Sequence, residues 1–192
     1  MMASIMGNEF FKTDVLPTFW CAGCGNGLLL GALIRSLHEC RLSKVNTVVV
    51  TGIGCWGKAD DYLTTHAFHG THGRAIPIAT GIKIANPTLD VIVLVGDGDG
   101  VTIGGNHLIH AARRNIDIMV IMSNNCNYGM TGGQYSGTTP CGSITSTSRY
   151  GHVEDGFDVA QLVSTAGAGY VAKGTVANPK QLQRFISTAI NK

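Results

Sequence analysis

Two carboxylates, Asp97 and Asp99, stand among glycines in the stretch VLVGDGDGVTIGGNH, directly after a run of aliphatic residues. A second polar pair, Asn124 and Asn125, follows the next aliphatic run, IDIMVIMS. Both runs have the length and apolar content of buried strands. The 28 residues from Asp97 to Asn125 suit one turn, one helix and one strand, so both side chains should emerge at the same edge of a sheet. A carboxylate and an amide oxygen there are hard-oxygen ligands suited to Mg²⁺, which keeps few protein ligands and completes its shell with water and phosphate oxygens. Gly96, Gly98 and Gly100 would let backbone amides and the N-terminus of the following helix approach a diphosphate. A bare GDG is most often a turn whose Asp caps the next helix. The matched Asn pair after the next strand favours the metal reading.

Thiols form the second group. Cys21 and Cys24 make a CxxC ahead of a predicted helix, and Cys55 closes the first predicted strand region in GIGCWGK. By itself a CxxC is a zinc half-site or a redox pair. A thioredoxin-like pair would follow a strand, and none is predicted there. Cys40 falls on a helix face as a core residue, and Cys126 and Cys141 flank the loop after Asn125. His66, His69 and His72 recur at three-residue steps, but in a glycine-containing loop that spacing defines no tetrahedral site. Lys58 reads by default as a solvated lysine.

These residues need a frame. GNGLLLGALIRSLHEC has helical periodicity, VNTVVVTGIG and DVIVLVG are strands, AIPIATGIKIA is a helix stopped by Asn86-Pro87, and GGNHLIHAARRN is a helix with basic residues near its C-terminus. Residues 60–74 read as a loop, as do residues 125–151. FDVAQLVSTAGA, GYVAKGT and PKQLQRFISTAINK then read as helix, strand and helix. Alternation of strands with helices, each strand nearly all apolar, predicts an α/β fold with a parallel sheet covered by helices on both faces. At 192 residues the expectation is a single domain, 1–192.

Composition narrows the partners. A formal net charge of +2 with no basic block gives no nucleic-acid surface. No apolar run reaches the roughly 18 residues that span a bilayer, and the opening MMASIMGNEFFKT lacks the basic-then-apolar pattern of a signal peptide. A cytoplasmic location is expected, where the 6 cysteines would be thiols or metal ligands rather than disulfides.

GDG followed after close to thirty residues by NN is similar to the thiamine diphosphate motif. The fuller run GDGDGVTIGGNHLIHAARRNIDIMVIMSNNCNYGMTGGQ, with CAGCG, GIGCWGK and HGTHGRAIPIATGIKIANP, resembles the β subunits of 2-oxoacid:ferredoxin oxidoreductases over residues 18–150. The resemblance implies the diphosphate-binding half of a thiamine diphosphate fold. Asp97 and Asn125 become Mg²⁺ ligands with the Asn127 carbonyl as a third. Gly54, Cys55, Gly96, Gly98, Asp99, Tyr128 and Gly129 would line the cofactor pocket. Lys58, His72, Arg74 and Met130 would line the active site, the Lys58 ammonium being suited to a 2-oxoacid carboxylate.

In that family Cys21, Cys24 and Cys55 correspond to ligands of a [4Fe-4S] cluster that needs a fourth thiolate. The family's segment carrying it is absent from this sequence. The expectation is that the segment lies beyond residue 192; a ligand from another chain, a three-thiolate cluster, or loss of the cluster are the alternatives. The resemblance further implies a reaction of a 2-oxoacid, 2-oxoglutarate favoured, with coenzyme A and ferredoxin, and a partner α subunit that supplies the glutamate at the aminopyrimidine ring. Glu9, Glu39 and Glu154 all lie outside the motifs, so the isolated chain is expected to be inactive. A non-oxidative thiamine-dependent decarboxylase or synthase is the competing reading, and the three cysteines speak against it.

Overall fold

The structure is a computed structural model that describes residues 7–192; the first six residues of the opening segment read above lie outside it. The elements run α1 Asn26–Glu39, β1 Thr47–Thr51, β2 His66–His69, α2 Ala75–Ala85, β3 Asp90–Gly96, a π-helical turn Gly98–Ile103, α3 Gly105–Arg113, β4 Met119–Ser123, the short pair β5 Asn127–Tyr128 and β6 Gln134–Tyr135, α4 Val159–Ala166 and α5 Pro179–Ile190. The main sheet has the order β2-β1-β3-β4 and every pairing in it is parallel.

The near-continuous apolar strands are explained by two cores. Along β3, Ile92 and Leu94 point to one side and Val91, Val93 and Val95 to the other. β1 divides in the same way, with Val49 on the first side and Val50 on the second. The first core is closed by α1, whose Leu29, Leu30, Leu33, Ile34 and Leu37 recur at helical spacing, and by Leu182, Ile186 and Ile190 of α5. α2, α3 and α4 cover the second through Ile76, Ala79, Leu108, Leu162 and Val163. Full burial of one such side chain contributes about 1.5–3 kcal/mol, so the β3 run alone strongly fixes the register that aims the residues after it.

Three local expectations are corrected, the first at residues 125–151, expected as a loop, which carry the short antiparallel pair β5-β6. The loop expected over residues 60–74 contains a strand, β2, which pairs with β1 from Val48↔His66 to Thr51↔His69. All four of its residues are exposed, so it lacks the apolar signature of a buried strand. The strand expected at GYVAKGT does not form: residues 170–174 carry no regular structure, and their backbone makes no ladder with the edge of β4. A lysine inside and glycines at both ends leave that run little to bury. Among the described residues, no helix is long and apolar enough to cross a membrane.

Candidate functional site

Parallel pairing brings the ends of four strands to one edge. Gly96 pairs with Ser123, so Asp97 and Asn125 leave neighbouring strands one and two residues beyond that pair. The loop after β1 carries Cys55 and Lys58, and the turn after β2 carries His72 and Arg74 to the same edge. The N-terminus of α1 arrives there too, since Ser123 Oγ donates to Asn26 Oδ1 at 2.8 Å.

Asp97 is 1% exposed. The Asn125 side-chain amide ends 2.9 Å from Asp97 Oδ1 and 2.8 Å from the Asn127 carbonyl oxygen. It presents its oxygen to both of these acceptors, with only a long 3.4 Å contact from the Asn127 N–H in addition. Turning the amide would let its nitrogen donate to both neighbours; a small cation would satisfy the oxygen as it stands. Adjacent ligand oxygens of octahedral Mg²⁺, each about 2.0–2.1 Å from the ion, stand about 2.9 Å apart. The donor set, and the two spacings about the Asn125 oxygen, fit Mg²⁺.

Gly98 opens the π-helical turn between β3 and α3, so the amides after the GDG come from this wider turn rather than directly from α3. A Cβ on Gly98 would collide with the Tyr128 ring, whose hydroxyl donates to the Gly98 carbonyl at 3.2 Å. Burial raises the Tyr128 pKa, and the nearby carboxylates of Asp97 and Asp99 add to the effect, so the phenol stays protonated and serves as a donor.

Asp99, expected to line the diphosphate pocket, is 2% exposed and turned inward. Its Oδ1 accepts from Gly73 N at 2.7 Å and stands 2.5 Å from His72 Nδ1, with a longer 3.4 Å bond from Ile53 N. Its Oδ2 is buried without a hydrogen bond. One carboxylate thus ties the loop after β1, the His-Gly-Arg turn and the GDGD turn together. The acceptor at Nδ1 assigns the proton to that nitrogen and leaves Nε2 of the partly exposed His72 ring for other partners.

The thiol-bearing segments also meet. Gly54, at φ +130°, turns the chain into Cys55, whose carbonyl accepts from Trp20 Nε1 at 2.6 Å. Trp20 immediately precedes Cys21 in the sequence, and Cys24 closes a turn back to the Cys21 carbonyl at 2.9 Å. Burial raises the Cys55 pKa, and the neighbouring Cys24 and Cys21 raise it further. Cys55 Sγ also lies 3.9 Å from the Cβ position of Gly129, so thiols and metal loop adjoin. Among the described residues, no three His, Cys, Asp or Glu side chains converge to hold a single ion. A cubane asks for a different arrangement, four thiolates on four separate irons, of which Cys21, Cys24 and Cys55 would supply three.

Lys58 pairs with Asp61 at 2.5 Å, and this carboxylate raises its pKa. Arg74 is exposed at the start of α2 and Met130 is 47% exposed beside Gly129. His69 turns away to Asp60 Oδ2 and Thr51 Oγ1, both at 2.9 Å. Glu9 pairs with His38, and Glu39 accepts from Gln183 and Ser187 of α5. Sequence reasoning missed Ser136 and Thr138, whose hydroxyls donate to Asp97 Oδ2 at 2.5 and 2.6 Å. Their segment read only as Gly/Thr/Ser-rich loop.

Residues 20–192 match the C-terminal TPP-binding domain model of thiamine pyrophosphate enzymes. The chain is 51% identical to 2-oxoglutarate synthase subunit KorB of Archaeoglobus fulgidus over 182 residues, covering 95% of this chain and 68% of that protein. It is 40% identical over 171 residues to the β subunit of 2-oxoacid:ferredoxin oxidoreductase 2 of Aeropyrum pernix, covering 89% of this chain and 55% of that one. Among solved structures, 2-oxoglutarate:ferredoxin oxidoreductase from Magnetococcus marinus, with 2-oxoglutarate, coenzyme A and succinyl-CoA bound, matches at a TM-score of 0.94 and 34% identity. That match covers 99% of this chain and 65% of the other. The chain thus spans about two thirds or less of the length of these proteins.

Proposed function

This chain belongs to the thiamine pyrophosphate enzymes and, among them, to the β subunits of 2-oxoacid:ferredoxin oxidoreductases, and from that premise we propose its role in oxidative decarboxylation of a 2-oxoacid. The favoured substrate is 2-oxoglutarate, which enters with coenzyme A and leaves as the acyl-CoA and carbon dioxide, the electrons passing to ferredoxin. Support for 2-oxoglutarate comes from the naming of the relatives and from the ligands of the matched structure.

The observation that carries the reading is the meeting of Asp97 Oδ1, the Asn125 amide oxygen and the Asn127 carbonyl at the strand ends. Those three oxygens would hold Mg²⁺ against the diphosphate of thiamine diphosphate. When bound, thiamine diphosphate supplies the electron sink for loss of carbon dioxide, and a [4Fe-4S] cluster on Cys21, Cys24, Cys55 and a further ligand supplies one-electron transfer. The chain's own residues do the rest by position. Asp99 fixes the His72 ring and the Gly73 amide, so that Nε2 of His72 is presented at the site edge. The Lys58 ammonium pairs with Asp61 and would exchange that carboxylate for the carboxylate of a substrate. An α subunit covers the cofactor edge and brings the acid for the pyrimidine side, a role that the placements of Glu9 and Glu39 do not supply.

The test is anaerobic purification of the chain with its co-purifying partner, followed by thiamine diphosphate, iron and sulfide assays on one sample. Thiamine diphosphate with about four irons per chain is expected. Thiamine diphosphate without iron would overturn the electron-transfer reaction and favour a non-oxidative decarboxylase.

A further inference from the structure

The carboxylate of Asp97 is used on both of its oxygens, and the second oxygen has no place in the metal face. Ser136 Oγ and Thr138 Oγ1 both donate to Oδ2, at 2.5 and 2.6 Å, while Oδ1 alone faces Asn125. All three side chains are buried, with exposures of 1% for Asp97, 0% for Ser136 and 6% for Thr138. Each hydroxyl has one proton to give. Thr138 also stands 2.9 Å from Asn124 Oδ1, and the shorter contact to a charged acceptor takes the proton.

The hydroxyls are held in place by the protein's own hydrogen bonds. Ser136 N donates to Thr139 Oγ1 and Gly137 N to Thr102 Oγ1, both at 2.8 Å, and Thr139 Oγ1 donates to the Cys126 carbonyl at 2.6 Å. The Ser-Gly-Thr-Thr segment is therefore pinned to the GDGD turn on one side and to the Asn-Asn turn on the other. Rotating the carboxylate to offer both oxygens to a cation would break two buried, charge-assisted hydrogen bonds.

That restriction discriminates between ions. Octahedral Mg²⁺ takes a single oxygen from a carboxylate, whereas Ca²⁺ takes six to eight ligands and accepts both. We infer that Ser136 and Thr138 are positioning residues that hold Asp97 to one-oxygen coordination and so set the preference of the site for Mg²⁺ over Ca²⁺. The inference rests on the metal-site reading above.

The experiment uses the complete complex, stripped of divalent ions by chelation and supplied with thiamine diphosphate. Mg²⁺ and Ca²⁺ are titrated separately by calorimetry into wild type and into the Ser136→Ala, Thr138→Val and Thr138→Ser variants. Loss of either hydroxyl should weaken Mg²⁺ binding about 10- to 100-fold. Ca²⁺ binding should fall far less, so the ratio of the two dissociation constants moves about tenfold or more towards Ca²⁺, and Thr138→Ser should restore it. Equal loss for both ions, or unchanged Mg²⁺ binding in Ser136→Ala, overturns the inference. Ser136→Ala adds no volume and decides the matter alone if Thr138→Val does not assemble. A wild-type complex that binds neither ion with thiamine diphosphate overturns the metal-site reading itself, a failure visible before any variant is made.

Discussion

Asp99 Oδ1 and His72 Nδ1 stand 2.5 Å apart, and the same oxygen accepts from the Gly73 amide, so a buried carboxylate after β3 fixes the turn after β2. Asp99→Ala would leave the Gly73 N–H and the His72 Nδ1–H without an acceptor, each at about 1–3 kcal/mol. A loss of about 2–4 kcal/mol in chemical denaturation is expected, and Asp99→Asn, which keeps an acceptor, should lose less. Equal losses for the two variants would mean that charge rather than acceptor geometry holds the turn.

Gly98 is shaped by Tyr128. Gly98→Ala drives a methyl into the phenol ring and should destabilise the protein by about 1–3 kcal/mol. Replacing the ring in the same protein, with Gly98→Ala combined with Tyr128→Leu, should recover part of that loss as a favourable coupling of at least about 0.5 kcal/mol. Strict additivity of the two changes would show that the glycine is needed for another reason.

The thiols are expected to divide into two classes. In the anaerobically purified complex, Cys21→Ser, Cys24→Ser and Cys55→Ser should each remove most of the iron and sulfide while thiamine diphosphate stays bound. Cys40, Cys126 and Cys141 should tolerate serine with iron content unchanged. Cys40 sits instead at the α1–α5 contact, its thiol 3.8 Å from the Ser187 carbonyl. Iron that survives serine at all three of the first group would remove the cluster assignment.

Glu39 fastens α5 to α1. Hydrogen bonds from Gln183 and then Ser187 lower its carboxyl pKa below the ordinary 4.5. A carboxyl whose pKa is lowered by folding stabilises the fold above its unfolded pKa, and that contribution is lost as pH falls through the lowered value. Stability measured from about pH 6 down to about pH 3 should therefore fall less steeply in Glu39→Gln than in wild type. Parallel curves would show that the two hydrogen bonds do not persist in solution.

Much of this architecture was legible in residue order because the chemistry sits directly after strands that have nowhere to go but the core. Val91 to Val95 are buried on both faces, so the position of Asp97 just beyond them followed from the apolar run itself. β2 was hidden because HAFH is a fully exposed edge strand, paired through its backbone and carrying no apolar run. The inward turn of Asp99 was hidden for a related reason: in GDGD the two aspartates are two residues apart and chemically identical, and only the three-dimensional approach of the His72-Gly73 turn separates their roles. Ser136 and Thr138 reach Asp97 across 39 and 41 residues, and no local pattern marks a hydroxyl that will meet a carboxylate so far away.

The strand order gives the pieces of the site unequal footing. Asp97 hangs from β3 and Cys55 from β1, the two strands with a neighbour on each side, whereas the His-Gly-Arg turn hangs from β2 at the margin of the sheet. Local opening begins where the fewest hydrogen bonds and buried contacts must be broken, and the four exposed residues of β2 meet that description. In amide exchange the protein should therefore behave as a persistent block bearing the GDGD turn and a looser flap bearing His72. The Asp99–His72 pair is the latch between them.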